Sequence, residues 1–154
     1  METTTRIRVQ ADPDVVFALA AAVEDWPRLL PHYRRVRVLR RDGCRTLVQM
    51  AASRDGIPVH WTAIQELHPA ERRITFRHVG GATRGMEVAW TLRPDADAVL
   101  VEIWHGFRPR WPMVPDALVH LIVGRFFVEN IAGKTLRRIK ALAEQRAPSG
   151  RPTR

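Results

Sequence analysis

DALVHLIVGRFFVENIAGKTLRRIKALAEQ, residues 116–145, has the spacing of one long helix. Ala117, Leu121, Gly124, Phe127, Val128, Ile131, Thr135, Ile139 and Leu142 recur every three or four residues and form its apolar stripe. At 1.5 Å per residue that stripe is about 45 Å long and needs a large apolar surface to cover it. The residues before it supply one. From position 33 onward the pattern switches to period two and reads as six strands, at 33–41, 44–53, 57–67, 73–79, 84–92 and 99–107. Asp42-Gly43 and Asp55-Gly56 are hairpin turn dipeptides, and Gly80-Gly81 and Pro94-Asp95-Ala96-Asp97 break the later strands. Upstream, residues 5–9 alternate as a further strand. Asp12 then caps a helix over 13–23 that has Pro13 at its first position. Asp25-Trp26-Pro27 restarts a short helix that Pro31 ends. The expected fold is α+β: a seven-stranded antiparallel sheet curled around a long C-terminal helix, with two short helices after the first strand. A sheet wrapped on a single helix leaves a space between them, and function is sought there.

The chain has 154 residues and a mass of 17.6 kDa, enough for one domain with its own core. That domain is expected over 1–145, followed by a disordered basic tail over 146–154. The longest apolar run, residues 15–23, is less than half the roughly 20 residues a membrane-spanning helix requires. Residues 1–5 lack a basic stretch followed by an apolar core, so no signal peptide is expected and the cytoplasm is the expected location. Cys44 is alone, which excludes an intramolecular disulfide, a cysteine zinc site and a Cys-x-x-Cys redox pair. The net charge of +9 is uneven. Residues 32–54 carry 7 basic residues against 1 acidic, and residues 108–154 carry 10 against 3. On the strand at 33–41, alternation places Arg35, Arg37 and Arg41 opposite Val36 and Val38, a solvated arginine ridge. No exposed aromatic set accompanies it, so no nucleic acid is expected as a partner. A homodimer is left open.

Parity sorts the strands into an inner and an outer face. The inner set is Ile57, Val59, Trp61, Ala63, Gln65 and Leu67; then Ile74, Phe76 and His78; then Met86, Val88, Trp90 and Leu92; then Val99, Val101, Ile103, His105 and Phe107. Arg84 is expected at the mouth. Pockets for small apolar ligands have this composition, a hydrophobic wall with a few polar groups that fix orientation. The candidate ligand-binding residues are therefore Trp61, Gln65, Phe76, His78, Met86, Trp90, Ile103, His105 and Phe127. Gly124, costly in a helix interior, makes room for a ligand or for a close strand. His78, His105 and Arg84 are the candidates for proton transfer, because imidazoles titrate near neutral pH. A metal would need a third ligand beside the two histidines, and neither a metal nor another cofactor is expected. Serine occurs only at Ser53 and Ser149, outside any nucleophile elbow, and no glycine-rich loop has the context of a phosphate cradle.

Asp25-Trp26-Pro27-Arg28-Leu29-Leu30-Pro31-His32-Tyr33 resembles the W-P-x-x-L-P-H turn of the polyketide cyclase/dehydrase family. Residues 126–136, FFVENIAGKTL, resemble the C-terminal helix motif of that family, and His60-Trp61 and His105-Gly106-Phe107 sit where its strand motifs would. The resemblance covers about residues 5–142. It implies a START-like (Bet v 1-like) helix-grip fold with a deep apolar cavity between sheet and last helix. That fold hosts several activities. The leading expectation is binding of a small hydrophobic or aromatic molecule of the lipid, polyketide or quinone class. The alternatives are a polyketide cyclase/dehydratase, and a coenzyme-Q-binding or ribosome-associated interaction module. In aromatase/cyclases of the family the tryptophan strand carries an inward arginine two pairs along. Gln65 stands there in this chain. It can donate a hydrogen bond but cannot neutralise an oxyanion.

Overall fold

A computed structural model describes residues 1–108 and 113–146. The chain runs through β1 (Glu2–Val9), α1 (Pro13–Ala21), a 3₁₀ turn at Val23–Asp25 and α2 (Trp26–Leu29). Six strands follow: β2 (Tyr33–Asp42), β3 (Arg45–Arg54), β4 (Ile57–His68), β5 (Arg73–Gly81), β6 (Glu87–Asp95) and β7 (Ala98–Gly106). They form one antiparallel sheet in the order β1-β7-β6-β5-β4-β3-β2, so β1 and β2 are its edges. The C-terminal helix is continuous over 116–146 as α3 (Asp116–Val119), a π-helical segment (His120–Val128) and α4 (Glu129–Arg146). Within it the Glu129 N–H donates to the Gly124 carbonyl, five residues back.

Local chemistry explains the boundaries. The Asp12 carboxylate accepts from the Asp14 N–H at 2.8 Å, and Pro13 occupies the first turn of α1, where a missing N–H costs nothing. Asp55 and Gly56 both have positive φ, +48° and +88°, as a two-residue hairpin turn with the native twist requires. Gly81 is fixed for a steric reason. Its φ is +89°, and a Cβ there would stand 2.4 Å from the His60 carbonyl oxygen and 2.7 Å from the Trp61 Cα. The close approach accompanies a register shift between β4 and β5 at Thr62/Ala63, beside Trp61.

The core lies between sheet and helix. Val9, Val16, Trp26, Leu30, Ile74, Ile103, Leu136 and Ile139 are almost fully excluded from solvent. α4 lies against β1 and α1, tied at its polar margin by Lys140 donating to the Arg8 carbonyl and by the Gln10 N–H donating to Glu144. Gly124 serves a close strand: a Cβ there would lie 3.0 Å from Met1 Sδ and 3.8 Å from Thr3 Cγ2. The expected strand at 84–92 instead starts at Glu87, because residues 82–85 form the turn out of β5. The side chain of Phe127, Trp111 and the tail beyond Arg146 lie outside the described residues.

Candidate functional site

The period-two strands turn Trp61 (β4), Phe76 and His78 (β5), Val88 and Trp90 (β6), and Ile103 and His105 (β7) toward one internal cavity, with Met86 at the head of β6. The register sets them side by side: Trp90 faces Ile103, and Val88 lies between Phe76 and His105. His78 is held opposite Met86 by two backbone bonds beyond the regular ladder, His78 N–H to the Met86 carbonyl and Gly85 N–H to the His78 carbonyl, each 2.9 Å. Val128, Ile131, Ala132 and Thr135 of the helix close the other side. The cavity is small, about 80 Å³, and partly open. Pockets that hold drug-sized ligands measure roughly 300–1,000 Å³. A multi-ring molecule therefore enters only if the wall moves, and Met50 and Met86 are its most deformable members.

Aromatic rings run through the wall. Trp26 packs edge-on against Tyr33 at 4.9 Å and lies 6.0 Å from Trp90 and 6.3 Å from Phe76 between ring centroids. Its indole N–H is used by the Leu19 carbonyl at 3.1 Å, so Trp26 presents only its apolar faces. Trp61 stacks parallel on the His78 imidazole, with centroids 5.6 Å apart.

The polar groups are few and neutral. Among the described residues no Arg, Lys, Asp or Glu side chain lines the cavity. Burial lowers His78 to about 3, assisted by the proximity of His105, and burial lowers His105 to about 4. Both are uncharged at neutral pH. His78 Nδ1 pairs with the Thr83 hydroxyl at 2.6 Å, whereas His105 Nδ1 is buried without a hydrogen-bond partner among the described residues. A buried unpaired ring nitrogen is costly, and a ligand atom that supplies its hydrogen bond recovers that cost. Thr135 Oγ1 donates to the Ile131 carbonyl at 2.8 Å, so its contact with His32 Nε2, also 2.8 Å, is accepted from an Nε2–H. Burial, then the charge of Lys134, lowers His32 to about 4 and keeps it in that neutral form. Burial raises the Tyr33 phenol above its ordinary value, so it too is neutral; hydrogen bonding to Thr135 opposes the shift.

Two expected site residues stand elsewhere. Gln65 has the inward parity but is not in the cavity wall, because the end of α1 covers it and its Nε2 donates to the Ala21 carbonyl at 3.0 Å. Arg84 lies exposed in the turn between β5 and β6 and does not reach the wall; Thr83 of the same turn does. Sequence reasoning missed Trp26, Tyr33, Met50, Thr83 and Thr135 as wall residues. For Tyr33 the reason is a bulge between Tyr33 and Arg35, which reverses parity at the start of β2 and turns the phenol inward with Val36.

A model of the polyketide cyclase/dehydrase and lipid transport family matches residues 9–135. The actinorhodin polyketide synthase bifunctional cyclase/dehydratase of Streptomyces coelicolor is 31% identical over 144 residues, covering 92% of this chain and 44% of that protein. The granaticin polyketide synthase bifunctional cyclase/dehydratase of Streptomyces violaceoruber is 32% identical over 93 residues, 59% of this chain and 29% of that one. This chain thus spans less than half the length of either relative. Among solved structures, the Zhui aromatase/cyclase from Streptomyces sp. R1128 superposes with a TM-score of 0.86 at 21% identity, over 97% of this chain and 96% of that chain, and shares the fold. The family match takes in β2 to β7 and every residue of the cavity wall, and by that extent the chain belongs to the polyketide cyclase/dehydrase and lipid transport family.

Proposed function

We propose that this chain binds a neutral, oxygen-bearing aromatic or polyketide-class molecule in the cavity between sheet and helix. Trp61, Phe76, Met86, Trp90 and Ile103 contact its apolar body. His78 and His105 hydrogen-bond its carbonyl or hydroxyl oxygens. The observation that carries this reading is the pairing of a wall that, among the described residues, is free of charged side chains with two buried neutral imidazoles, one of which has a nitrogen unpaired among those residues. A charged ligand would be desolvated there with nothing to compensate it. Such ligand chemistry fits relatives named for polyketide synthases. The exposed free thiol of Cys44 supports a reducing compartment such as the cytoplasm.

A second reading is favoured by the nearness of His78 and His105: cyclisation or dehydration of a poly-β-carbonyl chain. One imidazole would take a proton from the carbon between two carbonyls while the N–H of the other held the enolate oxygen. The lowered pKa of both rings makes each a weak base, so binding is the primary reading. Titration of tryptophan fluorescence with 1-naphthol tests it. Saturable quenching that weakens about tenfold in His105→Phe, the scale of one lost hydrogen bond to a buried group, is the expected result. No response to 1-naphthol or to smaller phenols would overturn the reading. Turnover of a poly-β-carbonyl substrate that disappears in His78→Gln and His105→Gln while naphthol binding persists would establish the second.

A further inference from the structure

Behind the His32–Thr135 hydrogen bond, on the outer side of the cavity wall, lies an open groove of about 570 Å³. Four cations converge on it. Arg34 comes from the start of β2, and Lys134, Arg137 and Arg138 from one face of α4 at helical spacing. Among the described residues the one carboxylate in its lining is Asp55 of the β3–β4 turn, 3.4 Å from Lys134 Nζ. The groove therefore keeps an excess of positive charge. Some surface arginines elsewhere meet carboxylates, as in Arg6–Glu102, Arg8–Asp95 and Arg45–Glu66, while others such as Arg73 and Arg77 meet none among the described residues, so it is the convergence of four cations that sets the groove apart. Arg34 and Arg137 have no ion-pair partner among the described residues. Two further features look built. Arg138 Nε is anchored on the Leu29 carbonyl at 3.0 Å, which fixes where its terminal nitrogens sit. The Arg137 guanidinium lies across Gly133, whose Cβ would stand 3.2 Å from Nη1, so a helix-disfavoured glycine gives that guanidinium its seat.

We propose that this groove binds a phosphate-bearing small molecule, independently of what occupies the cavity. Three guanidinium forks and an ammonium, facing one carboxylate, match a group with two negative charges and several acceptor oxygens better than they match a single carboxylate. His32, uncharged in the groove floor, adds neither attraction nor repulsion.

The probe is inorganic pyrophosphate, titrated calorimetrically into the full chain at pH 7.5 and about 0.1 M ionic strength, where the Debye length is about 10 Å. The expected result is one saturable site, weakened about tenfold or more in the Arg34→Gln/Arg137→Gln double variant. A charge-matched control, Arg73→Gln/Arg77→Gln, removes two exposed arginines of β5 and should change affinity less than about twofold, the scale of exposed charges beyond a Debye length. Asp55→Asn removes the repelling carboxylate from a positive-φ position that asparagine accepts, and should tighten binding. That gain cannot come from misfolding. No heat or chemical-shift response to pyrophosphate would overturn the proposal. So would equal weakening in the two double variants, which would mean that only the net charge of +9 attracts the anion. Naphthol quenching, measured in the same variants, stays unchanged in every case, so the outcome here is separate from that of the cavity reading.

Discussion

Lowering the pH from 7.5 to 5 should destabilise this protein through its two cavity histidines, and the size follows from their burial. In the folded chain His78 and His105 resist protonation until about pH 3 and about pH 4, whereas in the unfolded chain both imidazoles take up protons near the ordinary histidine value of 6.5. Below that value the unfolded state therefore binds more protons than the folded state. Stability falls as pH drops through 6.5 and keeps falling until the folded-state values are reached. At pH 5 each histidine sits about 1.5 units below its unfolded pKa, which is about 2 kcal/mol apiece at 1.36 kcal/mol per unit. The pair thus removes about 4 kcal/mol of a total that for a domain is roughly 5–15 kcal/mol. With urea m-values of about 1–3 kcal/mol per molar, the unfolding midpoint moves down by roughly 2 M. The assay is urea unfolding followed by tryptophan fluorescence at both pH values, on the parent chain and on His78→Gln/His105→Gln. The double variant should lose most of the pH dependence, leaving the contributions of His32 and the carboxylates. Equal midpoints at pH 7.5 and 5 in the parent chain, or an undiminished shift in the double variant, would refute the buried, uncharged state assigned to these imidazoles.

Gly81→Ala should lower stability by about 2–3 kcal/mol, since it sets a Cβ 2.4 Å from a backbone oxygen at a φ of +89°; thermal unfolding reads it. Met86→Ala should cost about 2–4 kcal/mol in stability yet tighten 1-naphthol binding, because the vacated volume enlarges a space of about 80 Å³; unfolding and fluorescence titrations measure the two halves. Gln65→Leu should cost about 1–3 kcal/mol by leaving the Ala21 carbonyl unsatisfied, with naphthol affinity unchanged; altered affinity would place Gln65 in the wall after all.

The fold was legible because its signals are long and repeated. Six strands with period two, separated by Asp-Gly turns and short polar loops, leave little room for another architecture, and the apolar stripe of the last helix demands a cover of that size; Gly80-Gly81, read as a turn, instead ends β5, and the turn follows at residues 82–85. The π-helical segment carried no such signal. Its apolar residues repeat at three and four like those around them, so spacing alone cannot show that the helix widens between His120 and Val128. Gly124 marked a close approach without disclosing its partner, which is Met1 from the far end of the chain.

The wall divides into what alternation determines and what tertiary partners determine. On β4 to β7 side-chain direction follows parity, and the apolar wall residues there were found from parity. The polar residues behave differently, because a polar group's role depends on what satisfies it, and that partner comes from elsewhere in the chain. Gln65 has the right direction and the wrong partner, since α1 ends above it and claims its amide. Thr135 stood in the apolar stripe of the helix, but its hydroxyl joins the Ile131 carbonyl to His32 and so divides the cavity from the cationic groove. Tyr33 required the bulge that reverses β2 at its first residues. His105 is the instructive opposite. Parity placed it, but only the assembled wall shows that its Nδ1 has no partner among the described residues, and on this unmet hydrogen bond rests the proposal that His105 meets a ligand oxygen.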